Sequence, residues 1–358
     1  MASPRLLIDG TEIFEFSDIS IINRANSEIS TCAFVITNPD FQHSTFFNKS
    51  VEVFLNVDSI DTVPTFRGII KEVTPSESNV SVTAYDPRIM LSSSDGVRLT
   101  LTDEYNYDGY TLSGFLKSVI EKYINTDDYS VIGLDFLNDT LPIIQIGDVR
   151  GNDIVPYDVI RDRLENFQRA DTLDTPAADT WKEVPQGRFV LDIENDSNNA
   201  QLIFKELPMR DVGAALNTVH NFSYYDGIDS ISYQRRPDYN VAAAAGTEIK
   251  FGDTAHRGRS VLSFKTRKEY PAEIGREARL RLMENQESNV EISMMINKGY
   301  SITPQSIIRI SIDNDEIDGV YRVQSKTISC NVSNGALNCR LQLGRPPAKI
   351  ADFLRNNF

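Results

Sequence analysis

Most signatures of chemistry are missing from this chain of 358 residues. It has no glycine-rich phosphate loop followed by a lysine, no HExxH and no CxxC, so nucleotide hydrolysis, zinc peptidase chemistry and thiol-redox chemistry lose their usual residue patterns. Its three histidines, His43, His220 and His256, are scattered singly. Three cysteines, an odd and small number, argue against a disulfide scaffold and fit assembly in a reducing cytoplasm. There is one tryptophan. No apolar run approaches the ~20 residues needed to span a bilayer, and MASPRLLIDG does not read as a secretory signal. Positive charge is short as well. Lys+Arg number 36 against 51 Asp+Glu, for a net charge of -15, which disfavours a protein that grips phosphates. No cofactor, metal or catalytic residue is assigned.

The composition is that of a globular protein, 41% hydrophobic and 24% charged. At roughly 100–200 residues per domain the length suggests two or three domains. The charge is uneven: residues 1–96 carry 13 acids and 6 bases, residues 97–220 carry 22 and 11, and residues 221–358 carry 16 and 19. The acidity therefore belongs to the first two thirds. The basic stretch of Arg257, Arg259, Lys265, Arg267 and Lys268 has few interleaved aromatics, so it reads as a solvated strand face or a surface meeting an acidic neighbour.

Hydrophobic periodicity divides the chain. In residues 1–96, alternation through Cys32, Phe34 and Ile36, through Val51, Val53 and Leu55, and through Val80, Val82 and Ala84 predicts half-buried strands. Leu112, Phe115, Leu116, Val119, Ile120, Tyr123 and Ile124 then recur at helical spacing behind Thr111, a suitable N-cap. A shorter helix follows Pro156, burying Ile160, Leu164 and Phe167. Residues 171–187 read as an exposed loop carrying Trp181, and RFVLDIEN with AQLIFKEL as a hairpin. Beyond residue 221 strands return, interrupted by a helix opening at Pro271. Val290, Ile292, Met294 and Ile296 alternate, as do Ile308, Ile310 and Ile312. Asn334-Gly335 predicts a two-residue turn setting Val332 opposite Leu337, Cys330 opposite Cys339 and Ile328 opposite Leu341. That register would bring the two thiols within bonding reach, whereas cytoplasmic assembly favours two buried thiols.

An offset of 257 residues aligns Val51, Val53 and Leu55 with Ile308, Ile310 and Ile312, Asp58 and Asp61 with Asp315 and Asp318, and Val63 with Val320. Either a duplicated β fold or two unrelated hairpins would give this match. The four aspartates mark acidic loops without EF-hand spacing. Past Arg345-Pro346-Pro347, Ile350, Phe353, Leu354 and Phe358 fall at near-helical spacing; they make either a short helix docked on its own domain or a peptide that packs on a partner.

The expected architecture is mainly β with an α+β insertion: residues 1–96 a first β domain, 97–220 a mixed middle domain, 221–345 a second β domain, and 346–358 a tail. The order of FRGIIKEV, VSVTAYDPRIML, YTLSGFLKSVIEKY, a helix near 271–287 and GVYRVQSKTISCNVSNGALNCRLQLG resembles the baseplate hub proteins of contractile-tailed bacteriophages, the late control protein D family. The resemblance covers roughly residues 5–345. It implies two tail-tube-like antiparallel β-barrel domains in one chain and a homotrimer whose six similar barrels meet the six-fold tail tube above and a spike or needle protein below. It also implies baseplate wedge or sheath components as partners, a lumen for DNA without sequence-specific contact, a place in the virion tail baseplate, assembly in the host bacterial cytoplasm, and no membrane insertion. No lysozyme-like domain or repetitive spike sequence follows. The competing readings are a distal tail or tail-associated protein of a non-contractile phage, and a carbohydrate-binding β protein using acidic loops, tyrosines and Trp181.

Overall fold

The computed structural model describes the chain except for residues 1–3, 26–27, 38–45, 57–60, 93–95, 103–105, 126–133, 138–143, 148, 167–186, 198, 209–219, 236–238, 240, 253–260, 267–269, 289, 299, 315–316, 333–335 and 345–358. The first β segment contains β1 (Arg5–Ile8), β2 (Thr11–Ile13), β3 (Phe16–Arg24), β4 (Thr31–Ile36), β5 (Ser50–Phe54), β6 (Phe66–Pro75) and β7 (Val80–Tyr85). The middle holds β8 (Leu99–Leu101), α1 (Leu112–Val119), β9 (Leu134–Leu137), β10 (Gly151–Ile154) and α2 (Pro156–Asn166), then the hairpin of β11 (Gly187–Asn195) and β12 (Ala200–Pro208). The last part comprises β13 (His220–Phe222), β14 (Ile228–Arg235), β15 (Val241–Ala244), β16 (Lys250–Gly252), β17 (Val261–Phe264) and α3 (Pro271–Ser288). It ends in β18 (Val290–Ile296), β19 (Ile307–Ile310), β20 (Gly319–Asn331) and β21 (Ala336–Gly344).

The alternation read from sequence is the alternation of burial. Cys32, Phe34 and Ile36 on β4, Val51 and Val53 on β5, Val80, Val82 and Ala84 on β7, and the alternating apolar residues of β18 all enter one core. Thr111 caps α1, its Oγ1 accepting from Gly114 N at 3.1 Å, and a π-helical turn over Ile120–Ile124 continues the buried face. That face belongs to a second core shared with α2, β11 and β12. A third, small cluster joins α3 to β15 and β16 through Ala242, Phe251, Ala278 and Leu282. Phe167, Trp181 and most of the 171–187 loop lie outside the described residues.

The two β segments are one duplicated unit. Strands β3, β4, β7, β6, β5 and β1 lie side by side in that order, and β14, β18, β21, β20, β19 and β13 repeat it. Details of backbone geometry recur with the order. Asn48 and Gln305, and Asn56 and Asp313, 257 residues apart in each case, take left-handed backbone angles before and after the equivalent strands β5 and β19. A bulge falls between Ile70 and Glu72 on β6 and again between Val323 and Ser325 on β20. Bulges re-aim a strand, and a shared bulge is hard to obtain from unrelated hairpins. The copies part at one edge, where β1 runs antiparallel to β5 but β13 runs parallel to β19.

Structure corrects two details of the sequence reading. The offset of 257 does not survive the loop after β5. Phe66 pairs with Val53 as Gly319 pairs with Ile310, so the offset falls to 253 and the counterpart of Val320 is Arg67, not Val63. The first copy simply carries a longer loop. The final hairpin is also shifted by two residues: Asn331 pairs with Ala336, Cys330 with Leu337 and Ile328 with Cys339. The register is centred between residues 333 and 334 rather than between Asn334 and Gly335. The buried face is as expected, but the two cysteines are no longer opposed, and all three cysteines are free and buried.

An aromatic residue and a glycine exchange places between the copies. On β6, Phe66 lays its ring over Gly68, where an added Cβ would lie 2.6 Å from the ring. On β20 the glycine comes first, and the ring of Tyr321 lies 3.6 Å from the Cβ position of Gly319. Both rings are buried in the main core. A bare backbone beneath a ring is the packing that lets a strand twist sharply.

Candidate functional site

The feature that organises this molecule is the seam between its two copies. Ser325 to Cys330 on β20 pair with Arg24 to Ile19 on β3, antiparallel, so the two copies form one hydrogen-bonded sheet rather than two separate bodies. At the seam Ile19, Ile21, Ile328 and Cys330 face inward and are buried. One core accordingly runs from Leu6 to Leu343 through both copies.

The opposite face of the seam is open and polar. Ser325, Thr327 and Ser329 on β20, with Asn338, Arg340 and Gln342 on β21 and Ile22 and Arg24 on β3, line a shallow depression of about 720 Å³. Hydroxyl and amide groups predominate; Arg24, Glu28 and Arg340 supply its charges. This surface offers hydrogen bonding without a strong field.

The middle unit is bolted to the sheet by a buried ion pair. Asp86 follows β7 and caps the 3-10 turn over Pro87–Leu91, accepting from Arg88 N at 2.9 Å. Its carboxylate also accepts from Ser30 N and from the Arg88 guanidinium, Nη2 to Oδ2 at 2.7 Å. Arg88 reaches onward, donating through Nη1 to the Leu191 carbonyl on β11 at 3.1 Å and through Nη2 to Ser30 Oγ at 3.3 Å. Burial alone would lower the Arg88 guanidinium; the charge and hydrogen bonds of Asp86 outweigh it and hold it above its ordinary value. Arg67 makes a parallel link, pairing with Glu52 and donating to the Ser197 carbonyl at 3.4 Å.

Lys326 is an anomaly of the second copy. It replaces the Val73 of the first, and its buried ammonium donates to the Tyr300 carbonyl at 2.9 Å. Burial holds it below the ordinary lysine value, against a smaller raising effect of Cys339. Burial also pushes the Cys339 thiol up to about 11 and Cys32 higher still, which keeps both unreactive.

Neither a protein-family model nor a curated protein matches the sequence. Solved structures do. The tail protein of Neisseria meningitidis MC58 superposes with a TM-score of 0.61 at 12% identity, over 97% of this chain and 99% of that one. The 43 kDa tail protein of prophage MuSo2 from Shewanella oneidensis gives 0.65 at 10% identity, over 96% and 97%. The c3393 protein of E. coli, a type VI secretion component described as similar to the T4 tail proteins gp27 and gp5, gives 0.54 at 9% identity, over 96% and 77%. The chain has the fold of these tail proteins. The element order read from sequence pointed to the same fold.

On this tail-protein fold the aspartates singled out by sequence act as loop fasteners. Asp61 Oδ2 accepts from Asn56 N at 2.8 Å, and Asp318 Oδ1 accepts from Ile312 N at 2.7 Å. Each closes the turn that follows a left-handed residue or contains one. Asp58 and Asp315 lie outside the described residues, as do Ile350, Phe353, Leu354 and Phe358. Among the described residues no group of three His, Cys, Asp or Glu could hold a metal ion. His220 sits exposed on β13, and the other two histidines are outside the described residues. Sequence reasoning missed the aromatic tips. Phe14 is 81% exposed in the turn before β3, and Tyr225 is 99% exposed in the turn before the equivalent β14. Their signal was legible only once the two strands were known to correspond.

Proposed function

We propose that the chain is a structural tail hub: three copies form a ring of six similar β units that joins a tail tube to a central spike and lets DNA pass. The observation that carries this reading is the duplication itself. One chain presents two copies of the same strand order, in the same orientation, joined side by side. Two such copies per chain and three chains give the pseudo-six-fold face that a six-fold tube needs and the three-fold face that a spike needs. The tail-protein fold over the full length supports the placement in a virion tail baseplate, assembled in the bacterial cytoplasm.

The division into 1–96, 97–220 and 221–345 then separates two ring units from an outer mixed unit, with 346–358 as a tail whose Ile350, Phe353, Leu354 and Phe358 pack on a partner. The open polar face at the seam lines the channel, where hydroxyl and amide groups let a polyanion slide without holding it. The Phe14 and Tyr225 tips and the acidic loops of Asp58, Asp61, Asp315 and Asp318 meet axial neighbours. The role is mechanical, without a catalytic residue.

The test is to mix the purified chain with candidate tail tube and spike proteins and sediment the mixture. The chain is expected to bring down both. Recovery of neither overturns the reading.

A further inference from the structure

The duplication has a geometric consequence at the outer edges of the sheet. Within one chain the seam joins β20 of the second copy to β3 of the first. The equivalents of these strands are β6 and β14. Beyond its pairing with β5, β6 pairs only with β7, and β14 pairs only with β18, among the described residues. We infer that β6 of one chain pairs with β14 of a second copy, repeating the internal seam between chains. The inference rests on the ring reading above and gives that ring its lateral contact.

The register follows from the internal one. Shifting β20 back by 253 residues and β3 forward by 212 turns Lys326 opposite Asn23 into Val73 opposite Arg235. Thr327 opposite Ile22 becomes Thr74 opposite Gln234, and Ile328 opposite Ile21 becomes Pro75 opposite Tyr233. The backbone agrees. Ser76 N donates to Asn79 O on the β7 side, so by strand alternation Thr74 also turns toward β7 while Val73 and Pro75 turn outward. Asn297 N donates to Gly227 O, and past the β14 bulge the same alternation turns Ile231, Tyr233 and Arg235 outward.

Burial points the same way. The seam residues Ile19, Ile21 and Ile328 are 1%, 0% and 1% exposed. Their counterparts at the outer edges, Ile231, Tyr233 and Pro75, are half-buried or exposed. Apolar side chains on the core face of an edge strand are what a further strand covers. The new ladder is shorter than the internal one, because the β6–β7 turn begins at Ser76 and Pro75 lacks an N–H. Val73 supplies its N–H and carbonyl, and Pro75 its carbonyl alone.

The test uses the full chain with Thr74→Cys and Gln234→Cys together. Thr74 and Gln234 form the pair whose backbone groups point away from the ladder, where side chains approach most closely. The three native thiols are buried. Ile22→Cys with Thr327→Cys, the same pair inside one chain, is the positive control. Oxidation is expected to give a non-reducing gel ladder that stops at three chains for the double variant, single chains for each single variant, and an intrachain bond for the control. Val73→Pro removes the outward N–H together with a side chain that packs against the main core; measured against Val73→Ala, which keeps the N–H, it should weaken association tenfold or more. A three-chain mass with no covalent ladder, while the control closes, would overturn the edge pairing and leave the ring standing. A single-chain mass at every concentration, alone and with the tube and spike proteins present, would overturn both.

Discussion

Arg88→Met should cost about 3–5 kcal/mol of stability, the loss expected when one partner of a buried ion pair is removed and the other charge stays behind. Arg88 and Asp86 side chains are 1% and 3% exposed. Without the guanidinium, the Asp86 carboxylate keeps the Ser30 and Arg88 backbone donors but no counter-charge. The Leu191 carbonyl and Ser30 Oγ each lose a donor as well. Because these partners lie on the β7 turn, before β4 and on β11, the substitution loosens the joint between the two cores. The middle unit should therefore become protease-sensitive before the sheet does. Arg88→Lys restores the charge without the planar fork and should recover less than half of the loss. Adding Asp86→Asn to Arg88→Met removes the stranded charge and should recover part of it. Denaturant unfolding checks all three variants, and a loss below about 1 kcal/mol for Arg88→Met would mean that the pair is replaceable.

Gly68→Ala is the second large effect, and Gly319→Ala is its internal control. A Cβ on Gly68 would lie 2.5 Å from the Tyr85 carbonyl oxygen, a backbone atom held in the β6–β7 ladder, and 2.6 Å from the Phe66 ring. Neither can move without disturbing the bulge or the core, so the expected cost is about 3 kcal/mol, at the upper end of overpacking effects. At Gly319 the nearest atoms are those of the Tyr321 ring at 3.6 Å, ordinary contact, and the change should stay within about 0.5 kcal/mol. The same substitution at two sites one strand-equivalence apart thus separates close packing from glycine content. Equal losses at both would contradict close packing as the cause.

The strands with clean alternation were legible in the sequence because each buries one face against a single core; β4, β5, β7 and β18 are of this kind. The α1 stripe with its Thr111 cap was legible for the same reason, since local spacing and local hydrogen bonding suffice. What the sequence hid is non-local. Nothing in DISIINR or SKTISCN marks β3 and β20 as partners, because both alternate like any edge strand and the pairing joins residues some three hundred positions apart. The final hairpin register failed because Asn334-Gly335 favours a turn centred on those two residues, whereas β20 and β21 also pair with β3 and β18 and their register is centred one residue earlier. The Val63–Val320 alignment failed because the loop after β5 is longer in the first copy. Lys326 could not be placed in a core by any pattern rule, since a lysine reads as solvated. The exchange of Phe66-Arg67-Gly68 for Gly319-Val320-Tyr321 was visible as letters, but it acquires meaning only when the two strands are superposed.

The most direct test of the ring is the solution mass of the purified full chain by light scattering across a concentration series. The account predicts three times the 40.3 kDa of one chain, reached more readily as concentration rises because the lateral ladder is short. A mass that stays at one chain throughout, alone and in the presence of the tube and spike proteins, would contradict it.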